Sequence, residues 1–176
     1  SGRAVEAAGD VHVLLLDKTG TITFGNRRCS AVYAAPGVSA KELAEGALFA
    51  SLADDTAEGK SIVEYLRGLH PQPEPSADVL TAVPFSAETR LSGVDYQGRV
   101  YRKGAVDSLL TFVGLKRTDL AAPLSREIDK IAQSGGTPLL VCADGKLLGV
   151  IHLKDVVKPG IRERFAELRK LGIRTV

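Results

Sequence analysis

The sequence predicts an α/β domain that is interrupted by a large α+β insertion. The apolar run over 11–16 ends in Asp17, which is typical of a strand buried on both faces of a parallel sheet. At the other end, IRERFAELRKLGI and then residues 173–176 indicate a helix that leads into another such strand. Antiparallel hairpin signals lie between these ends, so we expect the insertion over roughly 26–150.

The composition narrows the class of protein. The chain has 176 residues, of which 44% are hydrophobic and only 5% aromatic, so a packed core must be aliphatic. The net charge of +2 indicates neither a nucleic-acid surface nor a polybasic membrane patch. Cys29 and Cys142 match no metal-ligand spacing and fit a reducing compartment. The longest apolar run is far shorter than the roughly 20 residues that cross a bilayer, so we expect no membrane contact by this segment.

Helices are predicted in the first part of the chain. The alanine-rich stretch over 3–9 indicates a short helix. Ser39 and Glu42 form a capping box that opens a helix to about residue 53. A further helix is expected over 60–69, and the prolines that follow it require a loop over 70–75.

Both strands and helices are predicted in the second part of the chain. The clearest hairpin is centred on Asp144–Gly145, a pair that favours a type I′ turn, and Gly98 indicates another turn. Pro159 suits the first turn of the last helix and Gly172 its end. The remaining predicted elements are strands over 80–85, 91–103, 139–143 and 147–153, and helices over 106–113 and 124–133.

The segment DKTGTIT, residues 17–23, indicates phosphate chemistry. Ligands of open parallel sheets bind beyond the carboxyl ends of the strands, where Asp17 is expected. Gly20 allows close approach of the backbone, and threonine hydroxyls and backbone N–H groups bind phosphate oxygens. A carboxylate placed there can accept a phosphoryl group as an aspartyl phosphate, with Mg²⁺ neutralising charge. The alternative is that Asp17 only caps the next turn.

DKTGTIT resembles the phosphorylation signature of P-type ATPases, a family of cation pumps. The resemblance implies that Asp17 accepts the γ-phosphate of ATP and that Thr21 contacts the phosphoryl group. Lys18 belongs to the same catalytic motif. The backbone carbonyl of Thr19, together with Asp17, is implied to hold Mg²⁺. ATP and Mg²⁺ are therefore the cofactors that the resemblance predicts.

The family resemblance also assigns domains. It implies an incomplete haloacid-dehalogenase-like, Rossmann-like phosphorylation domain in residues 1–25 and, after a hinge, in 151–176. Residues 26–150 are then an inserted nucleotide-binding domain with an antiparallel sheet flanked by helices. Related phosphatases carry a second Asp as general acid two residues after the nucleophile, where this chain has Thr19. That difference favours a long-lived phosphoenzyme, as a pump requires.

Two segments of the insertion resemble the family's nucleotide pocket. PFSAETRLSG supplies Phe85, which is implied to stack on adenine, and Arg90, which is implied to reach toward the phosphates. RKGA supplies Lys103, implied to line the pocket, and Gly104, implied to allow close approach. The alternative is that Phe85 is a core residue and that the two cations are ordinary solvated charges.

Three further residues complete the predicted nucleotide contacts. Glu58 resembles the acid that contacts the adenine amino edge, although an acid at a helix start is also favoured by the helix dipole. Asp155 resembles the hinge aspartate of the family. Lys158 stands where arginine is common, and lysine lacks the bidentate fork of arginine.

Longer stretches resemble the Kdp-type potassium-transporting branch of the family, among them ASLADDTAEGKSIV, VPFSAETRLSG and YRKGAVD. This resemblance implies a catalytic subunit that works on the cytoplasmic side of the bacterial inner membrane. It implies a channel-like A subunit, a C subunit and a small F subunit as partners. The family's later metal-binding motifs are absent, so this chain is expected to bind nucleotide without turnover. Two alternatives stay open: a phosphatase of the dehalogenase superfamily, and a non-catalytic adenine-nucleotide-binding module.

Overall fold

A computed structural model describes residues 11–71 and 75–176. The chain forms two compact units, a larger one of Arg27–Lys154 and a smaller one of Ser1–Asn26 with Asp155–Val176. The expected insertion boundaries, after residues 25 and 150, lie close to these divisions. The helix predicted over 3–9 and the centre of the proline-rich loop lie outside the described residues.

The described ranges contain the following helices and strands. The strands are β1 (Val13–Leu14), β2 (Thr23–Ala34), β3 (Thr81–Val83), β4 (Leu91–Tyr96), β5 (Arg99–Ala105), β6 (Thr137–Ala143), β7 (Lys146–Val157) and β8 (Arg174–Thr175). The α-helices are α1 (Ala40–Phe49), α2 (Ala57–Leu69), α3 (Val106–Phe112), α4 (Ala122–Gln133) and α5 (Ile161–Lys170). Short 3₁₀ turns occur at Ala77–Val79 and Arg117–Asp119, and a π turn at Lys18–Ile22. None of these helices is long and apolar enough to span a bilayer.

The smaller unit contains a parallel strand pair and one helix in its described part. β1 pairs with β8, and the Leu16 N–H donates to the Val176 carbonyl at 2.9 Å. The prediction of a six-residue strand buried on both faces is wrong, because β1 has two residues and Val13 and Leu15 are 43% and 76% exposed. One partner strand and one helix supply too little surface to cover both faces of β1.

The larger unit is built on a six-stranded sheet with the order β2-β7-β6-β5-β4-β3. The neighbours from β3 to β7 pair antiparallel, with Leu91 opposite Gly104 and Leu139 opposite Ile151. Alternate residues of β6 point into different cores, since Val141 packs in one cluster and Leu140 in another. The sheet therefore lies between two helical layers.

Both cores are aliphatic, as the composition predicted. On one face α1 and α2 pack against the sheet; the fully buried residues there include Leu43, Leu48, Ile62, Leu66, Val94, Ile151 and Leu153. On the other face α3 and α4 do the same; their cluster includes Leu109, Leu110, Leu124, Ile128, Leu140 and Val150. The sheet and these two helical layers thus enclose the two cores of the larger unit.

Local sequence signals locate most elements well. The Ser39 side chain accepts the Glu42 N–H at 3.1 Å and starts α1, which ends four residues earlier than predicted, at Phe49. Asp144 and Gly145 have φ of 51° and 77°, confirming the predicted turn. The second helix starts at Ala57 rather than at residue 60, because the Thr56 side chain caps it by accepting the Gly59 N–H at 3.0 Å.

The longest element that the sequence did not predict is β2. It has twelve residues and forms one edge of the sheet. Most of its side chains are exposed, so the alternation of apolar and polar residues that marks a half-buried strand is absent. Its pairing in the sheet, rather than its own sequence pattern, determines its conformation.

The close approach of β4 and β5 predicts different effects of alanine at two glycines. A Cβ on Gly93 would lie 1.9 Å from the Tyr101 carbonyl oxygen, so Gly93→Ala must push two backbones apart. We expect a loss of about 2–3 kcal/mol in the free energy of unfolding, measured with denaturant.

Gly68, in α2, is the matched control. A Cβ there would meet no atom within 4 Å, so Gly68→Ala should stabilise the protein by about 0.5–1 kcal/mol through helix propensity. Equal effects of the two changes would contradict the packing of β4 on β5.

Candidate functional site

The larger unit contains a cavity of about 500 Å³ beside β5, within the usual size range of small-ligand pockets. Its walls come from β2, the start of α2 and the turn before it, the loop before β4, β4, β5, the start of α3 and the start of β6. The lining residues are Arg27, Asp54, Thr56, Glu58, Phe85, Arg90, Ser92, Lys103, Gly104, Ala105, Val106, Asp107, Thr137, Pro138 and Leu139.

Five of the residues singled out from the sequence line this one cavity: Glu58, Phe85, Arg90, Lys103 and Gly104. They are far apart in the chain, and the sheet register gathers the last three. Leu91 lies opposite Gly104, and the Ala105 N–H donates to the Arg90 carbonyl at 3.3 Å. The antiparallel pairing of β4 with β5 thus places the end of the PFSAETR segment against the RKGA segment.

Phe85 presents an open aromatic face at the cavity. It is 64% exposed, so it is not a core residue. The loop behind it is bent by local hydrogen bonds, since the Ser86 side chain accepts the Thr89 N–H at 3.0 Å and the Ser86 carbonyl accepts the Arg90 N–H at 2.8 Å. An exposed phenyl ring at the wall of a cavity is suited to stacking on a flat ligand ring.

Lys103 is the buried cation of the cavity. Its side chain is only 3% exposed, so it is not an ordinary solvated charge. The ammonium group donates to the Asp54 carboxylate and, at 2.9 Å, to the Ser92 hydroxyl. A buried ammonium without such partners would be strongly destabilising, and these two acceptors explain why it is tolerated.

The Asp54 carboxyl group is partly buried and is held in its charged form. Burial acts to raise its pKa, but hydrogen bonds from Lys103 and from Thr56, with the nearby Lys103 charge, outweigh burial and lower the pKa. The Thr56 N–H and hydroxyl donate to one carboxylate oxygen at 3.0 and 2.6 Å. The Lys103 ammonium therefore faces an ionised partner at neutral pH.

Gly104 has no space for a side chain. A Cβ there would lie 2.3 Å from the Arg90 carbonyl oxygen and 2.7 Å from a methyl group of Leu91. The close approach predicted at this glycine therefore exists within the protein itself, between β5 and the end of the PFSAETR loop. This contact shapes the wall of the cavity.

The rim of the cavity carries two more cations. Arg27 lies 3.7 Å from the Glu58 carboxylate, and both side chains are about half exposed. Glu58 lies in the first turn of α2, rather than before the helix as predicted. Arg90 forms no ion pair with any part of the chain that the structure describes, so its guanidinium group is available to a ligand anion.

Several lining residues were not predicted from the sequence, notably Asp54, Ser92 and Arg27. Asp54 and Asp55 are adjacent acids, and only the structure distinguishes them: Asp54 faces Lys103, whereas the Asp55 side chain is fully exposed. Strand periodicity offers a weak signal for Ser92, which lies directly opposite Lys103 in the β4–β5 pair. No sequence pattern marks Arg27.

The DKTGTIT segment forms a tight loop in the smaller unit. Asp17 is exposed at its start, and Gly20 has a φ of 79° that favours glycine. Thr23 is 2% exposed, and its hydroxyl lies 3.0 Å from the Lys18 carbonyl and 2.5 Å from the Asp155 carboxylate. Lys158 donates from its ammonium group to the Gly20 carbonyl at 2.7 Å.

Asp155 and Lys158 therefore lie beside the DKTGTIT loop, and neither lines the cavity of the larger unit. One oxygen of the Asp155 carboxylate is buried and has no hydrogen-bond partner among the described residues. In this conformation both side chains bind the loop, which is a role that the sequence analysis did not consider. Their predicted nucleotide contacts stay a prediction.

The oxygen donors at Asp17 fit a hard cation only in part. Among the described residues no group of three or more His, Cys, Asp or Glu side chains could hold a metal ion. The Asp17 carboxylate and the Thr19 carbonyl are donors of the type that Mg²⁺ prefers, and Mg²⁺ commonly completes its shell with water and substrate phosphate. The metal-binding role of Asp17 and Thr19 therefore stays a prediction.

Comparison with known proteins gives one family model and relatives that share one name. Residues 11–176 match the family model described as hydrolase, haloacid dehalogenase-like hydrolase. A protein of Pseudomonas aeruginosa named potassium-transporting ATPase ATP-binding subunit is 80% identical over 176 residues, covering 100% of this chain and 26% of that protein. A Rhizobium meliloti protein of the same name is 60% identical, with the same coverage of 100% and 26%. The chain thus spans about a quarter of the length of these relatives.

Solved structures share the fold. The crystal structure of a zinc-transporting PIB-type ATPase matches with a TM-score of 0.72 at 24% identity, covering 99% of this chain and 26% of that chain. The catalytic domain of the CPx-ATPase CopB-B, in a study of conformational changes upon nucleotide binding, matches with a TM-score of 0.60 at 13% identity. That match covers 99% of this chain and 56% of the other. At these identities the likeness concerns the fold alone.

The buried Thr23 hydroxyl should stabilise the DKTGTIT loop. Thr23→Val keeps the shape of the side chain but deprives Asp155 of its donor, so we expect the local opening free energy of the loop to fall by about 1–2 kcal/mol. Faster native-state hydrogen exchange of amides in residues 18–23 would report this loss. Thr81→Val makes the same change at an exposed position of β3 and should leave exchange in the loop unchanged. Unaltered exchange in Thr23→Val would show that the hydroxyl does not stabilise the loop.

Proposed function

The chain belongs to the haloacid dehalogenase-like hydrolase family, and from this premise we propose that it is the ATP-binding and phosphoryl-accepting portion of a potassium-transporting P-type ATPase. One observation carries the proposal: Glu58, Phe85, Arg90, Lys103 and Gly104, chosen by their resemblance to a nucleotide pocket, line a single cavity. The names of the relatives, which are 80% and 60% identical to this chain, support the same conclusion.

The larger unit is proposed to bind the nucleotide through its base. Phe85 stacks on the adenine ring, an interaction worth about 1–3 kcal/mol per base. Lys103 and Glu58 contact polar atoms of the adenine edge, and Arg90 faces the phosphates. The cations at Lys103 and Arg27 already have acidic partners, so this part of the cavity favours a neutral ring, and Arg90 is the cation left for the phosphates.

The smaller unit is proposed to accept the phosphoryl group. In the complete subunit a carboxylate oxygen of Asp17 forms a bond to the γ-phosphorus of ATP, while the bond from that phosphorus to the β–γ bridging oxygen breaks and ADP leaves. Mg²⁺, held by Asp17 and Thr19, supplies charge neutralisation when it is bound. Thr21 contacts the phosphoryl oxygens, and Lys18 is part of the same loop.

The partners and location follow from the same proposal. The complete protein is proposed to act with a channel-like A subunit, a C subunit and a small F subunit of a Kdp-type pump. Its ATP-binding portion would face the cytoplasm at the bacterial inner membrane. Two other functions are less well supported. A phosphatase would need a general acid where Thr19 stands, and a purely non-catalytic module would have no use for an exposed aspartate in the DKTGTIT loop.

Titration of the isotope-labelled chain with ATP, ADP and AMP tests the base-directed pocket. We expect similar backbone amide shifts for all three nucleotides, concentrated near Glu58, Phe85, Arg90 and Lys103. Shifts confined to residues 17–21 would mean phosphate recognition without the pocket. The absence of any shift at millimolar nucleotide would overturn the proposed pocket.

Alanine at Phe85 should weaken binding of ATP and AMP by about tenfold, because the stacking surface is lost. Calorimetry or amide-shift titration measures the change. Phe112→Ala is the matched control, since Phe112 is 46% exposed on α3 and does not line the cavity. Equal affinities of the two variants would rule out stacking on Phe85.

This chain alone should bind ATP without rapid hydrolysis, because its described donors supply only part of a Mg²⁺ site. A phosphate-release assay at saturating ATP and Mg²⁺ measures turnover. Rapid hydrolysis that disappears in Asp17→Asn would contradict this expectation and favour the phosphatase alternative.

A further inference from the structure

Asp54 is a partly buried acid at the cavity to which no sequence resemblance assigned a role. Its side chain is 15% exposed and forms an ion pair with Lys103. It also accepts hydrogen bonds from the N–H and hydroxyl of Thr56, at 3.0 and 2.6 Å. One carboxylate therefore joins β5 to the segment that starts α2.

The position of the Asp54 carboxylate is tightly constrained. Thr56 binds one of its oxygens and also caps α2 by accepting the Gly59 N–H at 3.0 Å. A Cβ on Gly59 would lie 2.4 Å from the carboxyl carbon of Asp54, so the helix start packs directly on this side chain. Neither the acid nor the first turn of α2 has room to move independently.

The Lys103 ammonium, in contrast, is fixed only by its hydrogen bonds. A lysine side chain has a flexible four-carbon stem and three N–H donors. Asp54 and Ser92 accept two of these donors, which leaves one for a ligand. Of these two acceptors only Asp54 is charged, and a hydrogen bond to a carboxylate is stronger than one to a neutral hydroxyl.

We propose that Asp54 is a positioning residue that holds the Lys103 ammonium at the base-binding end of the cavity. This inference rests on the proposed function of the cavity as an adenine-nucleotide site. Because Asp54 neutralises the ammonium charge, Lys103 acts as an oriented N–H donor to a ring acceptor of the base. Its contribution to binding then depends little on the number of phosphates.

The test compares Asp54→Asn with Asp55→Asn in the 176-residue chain, with ATP and AMP as ligands. In Asp54→Asn the amide oxygen can still accept from Thr56, but the amide NH₂ group faces the ammonium as a second donor and displaces it. We expect Asp54→Asn to weaken ATP and AMP binding by the same factor, about tenfold. Asp55→Asn removes the same charge from a fully exposed side chain and should change affinity less than about twofold.

A double variant separates positioning from a general structural effect. Lys103→Met and Asp54→Asn/Lys103→Met should bind AMP equally, within about twofold, because Asp54 acts through Lys103. If the loss of AMP affinity in the double variant equals the product of the losses in the two single variants, the proposal is overturned. An Asp54→Asn affinity equal to that of the unaltered chain would also overturn it. If Asp54→Asn alone does not fold, weaker AMP binding by the double variant than by Lys103→Met still overturns the proposal, since neither of these two variants has an unpaired buried ammonium.

The experiment distinguishes failure of the proposed nucleotide site from failure of the proposed role of Asp54. An unaltered chain that binds neither ATP nor AMP at millimolar concentration overturns the proposed nucleotide site. An unaltered chain that binds both, with Asp54→Asn binding them equally well, overturns only the positioning role of Asp54. If Asp54→Asn weakens ATP binding and AMP binding by different factors, the proposed contact of Lys103 with the base is contradicted.

Discussion

The antiparallel pairing of β4 with β5 is the constraint on which the candidate pocket depends. It sets Gly104 opposite Leu91 and leaves no space for a Cβ at Gly104 or at Gly93. The same pairing places Lys103 opposite Ser92 and brings Arg90 to the cavity wall. The two aliphatic cores on either face of the sheet hold this register, because a one-residue slip would turn their apolar side chains outward.

Burial of Lys103 costs free energy that the surrounding core must offset. An ion pair in a protein interior often contributes little to stability compared with apolar residues, so its presence at a cavity wall calls for another explanation. The ion pair with Asp54 holds the Lys103 N–H donors in one place and neutralises the charge of Lys103 at the cavity wall. An exposed aromatic ring at Phe85 and a neutralised donor at Lys103 together suit a flat, uncharged heterocycle.

The sequence predicted those features that depend on local chemistry. The helix start at Ser39 and the turn at Asp144–Gly145 were predicted correctly because each is specified by a few adjacent residues. β2 was not predicted, since an exposed edge strand takes its conformation from its neighbour in the sheet. Burial of β1 was predicted wrongly, because a short apolar run does not reveal how many elements cover it.

The sequence likewise predicted only part of the candidate site, because the packing of the chain decides which side chains face the cavity. Resemblance selected the five residues that line the cavity, but it could not select Asp54 over Asp55, because the two differ only in which way the turn before α2 directs them. It also predicted that Asp155 and Lys158 contact the nucleotide, which stays a prediction; in this conformation their side chains bind the loop that carries Asp17. Residue types in the sequence therefore suggest nucleotide binding. The three-dimensional packing determines which of these residues line the cavity and which lie beside the DKTGTIT loop.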